Sequence, residues 1–400
     1  MTESTVKDVT TSTNQTDALN LKRLNKDFAI SVLGVPTATY HEYRLVTFIM
    51  LYCKRNGIKY EMDEFGNIYL TKGELAEGEF YPCFTAHLDT VQDKQIVFAK
   101  AGVNLPIEVE VTKEGKHKLF VKGFGLGGDD KAGIAISLSA FNHRDKLKAC
   151  FFLQEEVGCN GSTKLDKNWF KDVGYVLGFD SPELNRAAYR CNGIQLMDEK
   201  FFSENGLDKL CADYGLNDFR SEPYTDVVQI RKQTDIICMN FGSGYYKQHT
   251  DGEYCILEEM DAALDMGLAI VDKLGMTEHK LKSSQVSFYT QDSDSLYFEK
   301  LNPNYVPPKP TTYYGTGRST YPYTQDPYDD YYDDYPYGNQ YQKPAKNSAA
   351  TIQFEVVENV AKTYETHLKN VEEEVKKKCE ALGIDYDSNF AEIFSMSITF

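Results

Sequence analysis

The stretch "ACFFLQEEVG", residues 149 to 158, holds an apolar run of strand length, Ala149 to Leu153, that ends on two adjacent carboxylates, Glu155 and Glu156. Successive residues of an extended chain point to opposite sides, so the two acids leave the strand in different directions. Taking a carboxylate out of water costs several kcal/mol. A chain that sets two of them at the mouth of its core needs something to neutralise them, supplied from elsewhere in the sequence.

Working outward, the same design recurs. "YPCFTAHLD" (81–89) is a short apolar strand ending in His87 and Asp89, and "VGYVLGFDSPE" (173–183) is another ending in Asp180. "DIICMNFGSGYYKQH" (235–249) runs from a strand through a loop to His249. "GFGLGGDDKAGIAISLSAFN" (123–142) is a glycine-rich turn that opens onto a helix, with Asp129 and Asp130 at its start. Around these, helices are predicted near 22–32, over about 40–56 where Gly57 stops the pattern, and over 254–275. "IKYEMDEFGNIYLTKG" (58–73) alternates as a hairpin with its turn at Asp63–Gly66, and 107–123 reads as a second hairpin. Strands alternating with helices, with polar residues just past the strand ends, predict an α/β fold. The expected form is a mixed, mostly parallel central sheet flanked by helices. In open sheets of this type ligands sit beyond the carboxyl ends of the strands, where these acids and histidines gather.

At 400 residues the chain exceeds one ordinary domain, which predicts a main body with attachments. Residues 1–20 read as a disordered N-terminus, 21–282 as the main domain, 283–348 as a low-complexity linker and 349–400 as a C-terminal helical segment. Residues 305–345 hold 11 tyrosines, seven prolines and five aspartates and keep neither a strand nor a helix period. A plain spacer is one reading; a partner-binding tyrosine surface is the other. Residues 354–383 place apolar side chains at helical spacing, a second candidate for docking a protein partner. Sixty acidic against 43 basic side chains give a net charge of −17, which repels nucleic acid and anionic membranes. No apolar run approaches the ~18 residues of a membrane span. The polar opening "MTESTVKDVTTSTNQTDALN" is not a signal peptide. Nine scattered cysteines without a CxxC pair indicate reduced thiols in a cytoplasm.

Imidazole plus carboxylate is a ligand set that zinc accepts. Several acids near two histidines could hold two metals if one carboxylate bridges them, and a metal pair about 3.5–4 Å apart stabilises both the attacking and leaving oxygens of a hydrolysis. In that arrangement the two glutamates face cations.

The order His-x-Asp, Gly-Asp-Asp-Lys-Ala-Gly, Glu-Glu, Asp, His resembles the co-catalytic zinc exopeptidases, which include peptidase T, the glutamyl and deblocking aminopeptidases and related amidohydrolases. "FTAHLDTV" is similar to that family's first ligand motif, "GLGGDDKAGIA" to its bridging motif, "QEEVG" to its acid pair and "MDEFGNIYL" to the edge hairpin before the first ligand. The likeness spans roughly residues 25–275. It implies two Zn2+ ions, with Co2+ or Mn2+ as alternatives. His87 and Asp180 would ligate one ion, Glu156 and His249 the other, and Asp129 would bridge them. Asp89 would fix the far nitrogen of His87, Glu155 would be the general base beside a two-zinc-bound water, and Asp130 receives no role. Peptidase T carries a lid domain between its last Asp and last His ligands; here 68 residues separate Asp180 from His249, too few for one.

The resemblance implies a cytoplasmic aminopeptidase acting on peptides. An amidohydrolase on small N-acyl amino acids is the nearest rival, and a binding protein that keeps a peptidase fold is the rival from another class. His41, His117, His143, His279 and His367 match no motif. The glycines at 123, 125, 127 and 128 lack the Lys-Ser/Thr of a phosphate loop.

Overall fold

All residues of Tyr81–His87, Leu147–Phe152 and Cys238–Gly242 are buried, as expected of parallel strands covered on both faces. The computed structural model describes residues 21–101, 104–222, 224–282 and 293–302. The chain opens with helices α1 (Lys26–Gly34) and α2 (Tyr43–Asn56), the hairpin β1 (Lys59–Met62) and β2 (Ile68–Lys72), and strand β3 (Tyr81–His87). Helix α3 (Lys94–Ala101), the hairpin β4 (Glu108–Val111) and β5 (His117–Phe120), helix α4 (Gly128–Ala140) and strand β6 (Leu147–Phe152) follow. Next come α5 (Asn160–Thr163), a 3-10 turn, β7 (Val173–Ser181), β8 (Arg186–Cys191) and β9 (Ile194–Gln195). Helices α6 (Glu199–Glu204) and α7 (Leu207–Asp213), strand β10 (Asp218–Glu222) and helix α8 (Asp226–Thr234) lead to β11 (Cys238–Gly242). The last elements are β12 (Tyr245–Tyr246), β13 (Tyr254–Ile256), α9 (Leu257–Leu274) and α10 (Ser293–Lys300).

The main sheet has the order β1-β2-β6-β3-β7-β11-β8-β10, with β9 paired to β8. Its centre, β6, β3, β7 and β11, is parallel, and the edge hairpin and β8 are antiparallel to their inner neighbours. A smaller antiparallel sheet has the order β12-β13-β5-β4. Side chains alternate between two cores. Phe84, Ala149, Phe151 and Leu177 pack on one face with α4 and α9, and Cys83, Cys150, Phe152 and Val176 on the other with Trp169, Val227 and Ile230. This is the mixed, mostly parallel sheet flanked by helices that the sequence predicts.

Local sequence explains the punctuation. Gly57 takes φ 64° and its N–H closes α2 on the Cys53 carbonyl. At the first hairpin, one carboxylate oxygen of Asp63 accepts the N–H groups of Phe65, Gly66 and Asn67. Two boundaries differ from expectation. Residues 254–256, read as the start of a helix, form β13, because their alternation pairs them with β5. Residues 293–302, read as linker, carry α10, whose Phe298 is fully buried against Tyr189, Phe202 and Phe219. The expected N-terminal disorder, the Tyr/Pro-rich tract and the C-terminal helix lie outside the described residues.

Candidate metal centre

Because β3, β6, β7 and β11 run parallel, their carboxyl ends open on one side of the sheet. His87 is the last residue of β3 and is 1% exposed. Its Nε2 lies 3.0 Å from Asp129 Oδ1 and 3.5 Å from Asp180 Oδ1. The other oxygen of Asp129 lies 3.3 Å from His249 Nε2, which also stands 3.1 Å from Glu156. The predicted residues thus converge as two triads, His87–Asp129–Asp180 and Asp129–Glu156–His249, whose ligand atoms lie within 4.8 Å of one another in each. Asp129 belongs to both and presents one oxygen to each imidazole. Neutral imidazole nitrogen with carboxylate oxygen is a donor set that suits a divalent cation such as zinc.

The charges are poised against one another. Burial opposes a proton on His87, yet Asp180 and Asp129 outweigh it and hold the imidazole well above its ordinary range. His249 is likewise opposed by burial but pushed up to about 12 by Asp129 and Glu156. Burial raises Glu156 to about 7, helped by the charge of Asp129. Burial and then Asp180 push Glu155 upward. For Asp129 burial is overcome by the two imidazoles, and its carboxyl is held low.

The polar surroundings set these groups in place. The far nitrogen of His87 meets the main-chain oxygen of Asp89 at 3.0 Å, closer than the Asp89 carboxylate at 3.5 Å. That carboxylate accepts the N–H groups of Glu155 at 2.8 Å and Glu156 at 3.2 Å and the hydroxyl of Thr39 at 3.0 Å. Asp89 therefore anchors the loop that carries both glutamates. The edge hairpin props the same loop: Asn67 accepts the N–H of Leu153 and donates to the carbonyl of Gly161. Glu155 lies outside both triads, and its Oε1 accepts from the Cys159 thiol at 3.4 Å. Asp130, buried, accepts the main-chain N–H of His87 and of Gly133, tying the end of β3 to α4.

Three residues that the sequence reading did not single out support the ligands. Glu253, 1% exposed, accepts the N–H groups of Gly127 and Asp129 and so grips the bridging loop; burial raises it to about 7. Asn240 exchanges hydrogen bonds with the main chain of Asp180 in both directions. Glu222, at the end of β10, accepts from Ser181 and Asn240 behind it. Glu222 ends a strand as the ligands do, but its strand has no apolar run to announce it. Between Asp180 and His249 the chain adds β8, β9, β10 and β11 to the main sheet.

No family model matches the chain. It is 26% identical over 201 residues to the cytosol non-specific dipeptidase of Escherichia coli (strain K12), covering 48% of this chain and 40% of that protein. The chain thus spans less than half the length of the curated relative it matches. Among solved structures, a tripeptidase from Staphylococcus aureus aligns at 13% identity over 62% of this chain and 98% of its own, with a TM-score of 0.49. The aminopeptidase PepT from Bacillus cereus aligns at 13% identity over 63% of this chain and 100% of its own, with a TM-score of 0.48. The match to the dipeptidase agrees with the motifs: the chain resembles the metallopeptidases.

Proposed function

We propose that the protein is a metal-dependent peptidase that removes an N-terminal residue from peptides. The observation that carries this reading is the sharing of Asp129 between two triads. His87, Asp129 and Asp180 would hold one divalent ion, and Asp129, Glu156 and His249 the second; Zn2+ suits the set, with Co2+ or Mn2+ as alternatives. Such a pair supplies Lewis acidity at a scissile carbonyl and makes a nucleophile available near neutral pH. Glu155, adjacent to a ligand yet outside both triads, would take the proton of the attacking water and return it to the departing amine as the C–N bond breaks. Asp89 would hold Glu155 and Glu156 in register through their N–H groups.

The similarity to the dipeptidase over 201 residues supports hydrolysis of a peptide bond. The catalytic body would comprise residues 21–282 with α10 added, and the tail beyond it would serve any protein partner. The eight described cysteines are buried free thiols, in keeping with a reducing cytoplasm. The test is metal content of the purified protein together with turnover of dipeptides, aminoacyl-nitroanilides and N-acyl amino acids, with and without chelator. About two metal equivalents and chelator-sensitive release of N-terminal residues are expected. Turnover confined to the N-acyl amino acids would favour the amidohydrolase reading, and no metal-dependent turnover would overturn both.

A further inference from the structure

Beside His249 the surface opens into a cavity of about 280 Å³. This lies just under the ~300–1,000 Å³ of sites that take a drug-sized ligand, so it has room for one side chain. Its walls differ in chemistry. Val91 and Ile96, 36% and 48% exposed, form an apolar side with Phe124, while Asp93 and Asp251 contribute two carboxylates. No lysine or arginine is among the described residues that line it. The lining is close-packed at Gly125: a Cβ there would come within 2.8 Å of the Thr250 carbonyl and 2.9 Å of the Gln92 side-chain nitrogen Nε2. Gln92 is in turn held by Glu253, the residue that grips the main chain of Asp129. The cavity is therefore built onto both a candidate ligand and the support of the bridging one.

A cavity lined by apolar side chains and two acidic residues, with no basic residue among its described lining, fits a side chain with a long aliphatic stem and a cationic head, the way lysine and arginine bury their stems and keep their charge solvated. We propose that this cavity receives the side chain of the residue to be released, and that the preferred substrates are peptides beginning with lysine or arginine. The inference rests on the peptidase reading and adds the substrate class to it. Asp93 and Asp251 are its specificity-determining residues. Asp93 also accepts the N–H groups of Gln95 and Ile96 at the start of α3; an asparagine there retains an acceptor, so Asp93→Asn keeps the fold.

The experiment compares kcat/KM for Lys-Ala, Arg-Ala and norleucine-Ala with the full-length, metal-loaded protein. Norleucine has the lysine stem without the ammonium. The lysine and arginine peptides should lead norleucine by about tenfold at low salt, as expected for two partly exposed charge pairs, and the lead should shrink at ~1 M salt. In the Asp93→Asn/Asp251→Asn double variant the ratio should fall close to one. Equal rates in the unaltered protein, or a double variant that keeps the lysine preference, overturn the assignment of the cavity. Cleavage of norleucine-Ala without a lysine lead sinks only the cavity; failure to cleave any of the three peptides sinks the peptidase reading and this inference with it.

Discussion

Glu155 and Glu156 are chain neighbours with separate surroundings. Glu156 meets His249 at 3.1 Å inside a triad, whereas Glu155 sits outside both triads beside the Cys159 thiol. Glu156→Ala should therefore lower metal stoichiometry. Glu155→Gln should keep the metal content and lose turnover by about 10²–10⁴-fold, the range of a general acid–base group. Metal analysis alongside kcat distinguishes the two; a Glu155→Gln protein that loses metal as Glu156→Ala does would overturn the assignment of Glu155 as the general base. Glu42 offers a test away from the ligands. It is fully buried at the start of α2, and burial, then the charge of Asp89, raises its carboxyl from 4.5 to about 8. A raised carboxyl stabilises the fold fully below pH 4.5 and loses that contribution as pH climbs toward 8. Glu42→Gln cannot ionise, so across that window its stability should rise relative to the unaltered protein by at most ~5 kcal/mol, read from denaturant melts at each pH. Three of the ligand candidates, His87, Glu156 and Asp180, are legible in sequence because an apolar run leads up to each, and Asp129 because a glycine-rich turn opens onto its helix. Glu253 has no such approach: it follows a loop, and only the pairing of β13 with β5 brings it under the Asp129 main chain.

Among the elements, those with a strong period are the ones the sequence announces: β3, β6 and β7 as apolar runs, α2 and α9 as long amphipathic stretches. Strands β8 and β10 escape notice because their segments mix charge with small residues, as in Arg186–Cys191 and Asp218–Glu222, and gain definition only by pairing, β8 between β11 and β10 and β10 at the sheet's edge. Helix α10 escapes for another reason. Its eight residues are polar apart from Leu296, Tyr297 and Phe298, and what holds it is tertiary contact. Asp294 accepts the N–H of Glu199 at the start of α6, and Asn302 both donates to and accepts from the main chain of Phe219. Phe298→Ala should cost about 3–5 kcal/mol of stability, the usual toll for emptying a buried aromatic site. The measurement is a denaturant melt. A loss under ~1 kcal/mol would show α10 to be peripheral after all. Metal stoichiometry should not change, since the partners of α10 named above, Tyr189, Glu199, Phe202 and Phe219, include no triad residue.

For the molecule as a whole, the triads gather three carboxylates around two imidazoles within a largely buried site, so a bound cation should add to stability by mass action. Chelation should lower the melting temperature and added zinc should restore it; an identical melt after verified metal removal would count against the proposed centre. The order of the main sheet carries a consequence for how the protein comes into being. β3 stands at the centre, yet its partners are distant in sequence: Cys83 faces Lys148 on one side and Val176 on the other. As the nascent chain leaves the ribosome, β3 emerges with both edges open and must wait for β6 and β7 before either is closed. Pairings over such separations fold slowly and leave apolar strand edges exposed in the meantime. The exposure this architecture entails therefore falls early in synthesis, when a core strand has been made whose neighbours do not yet exist.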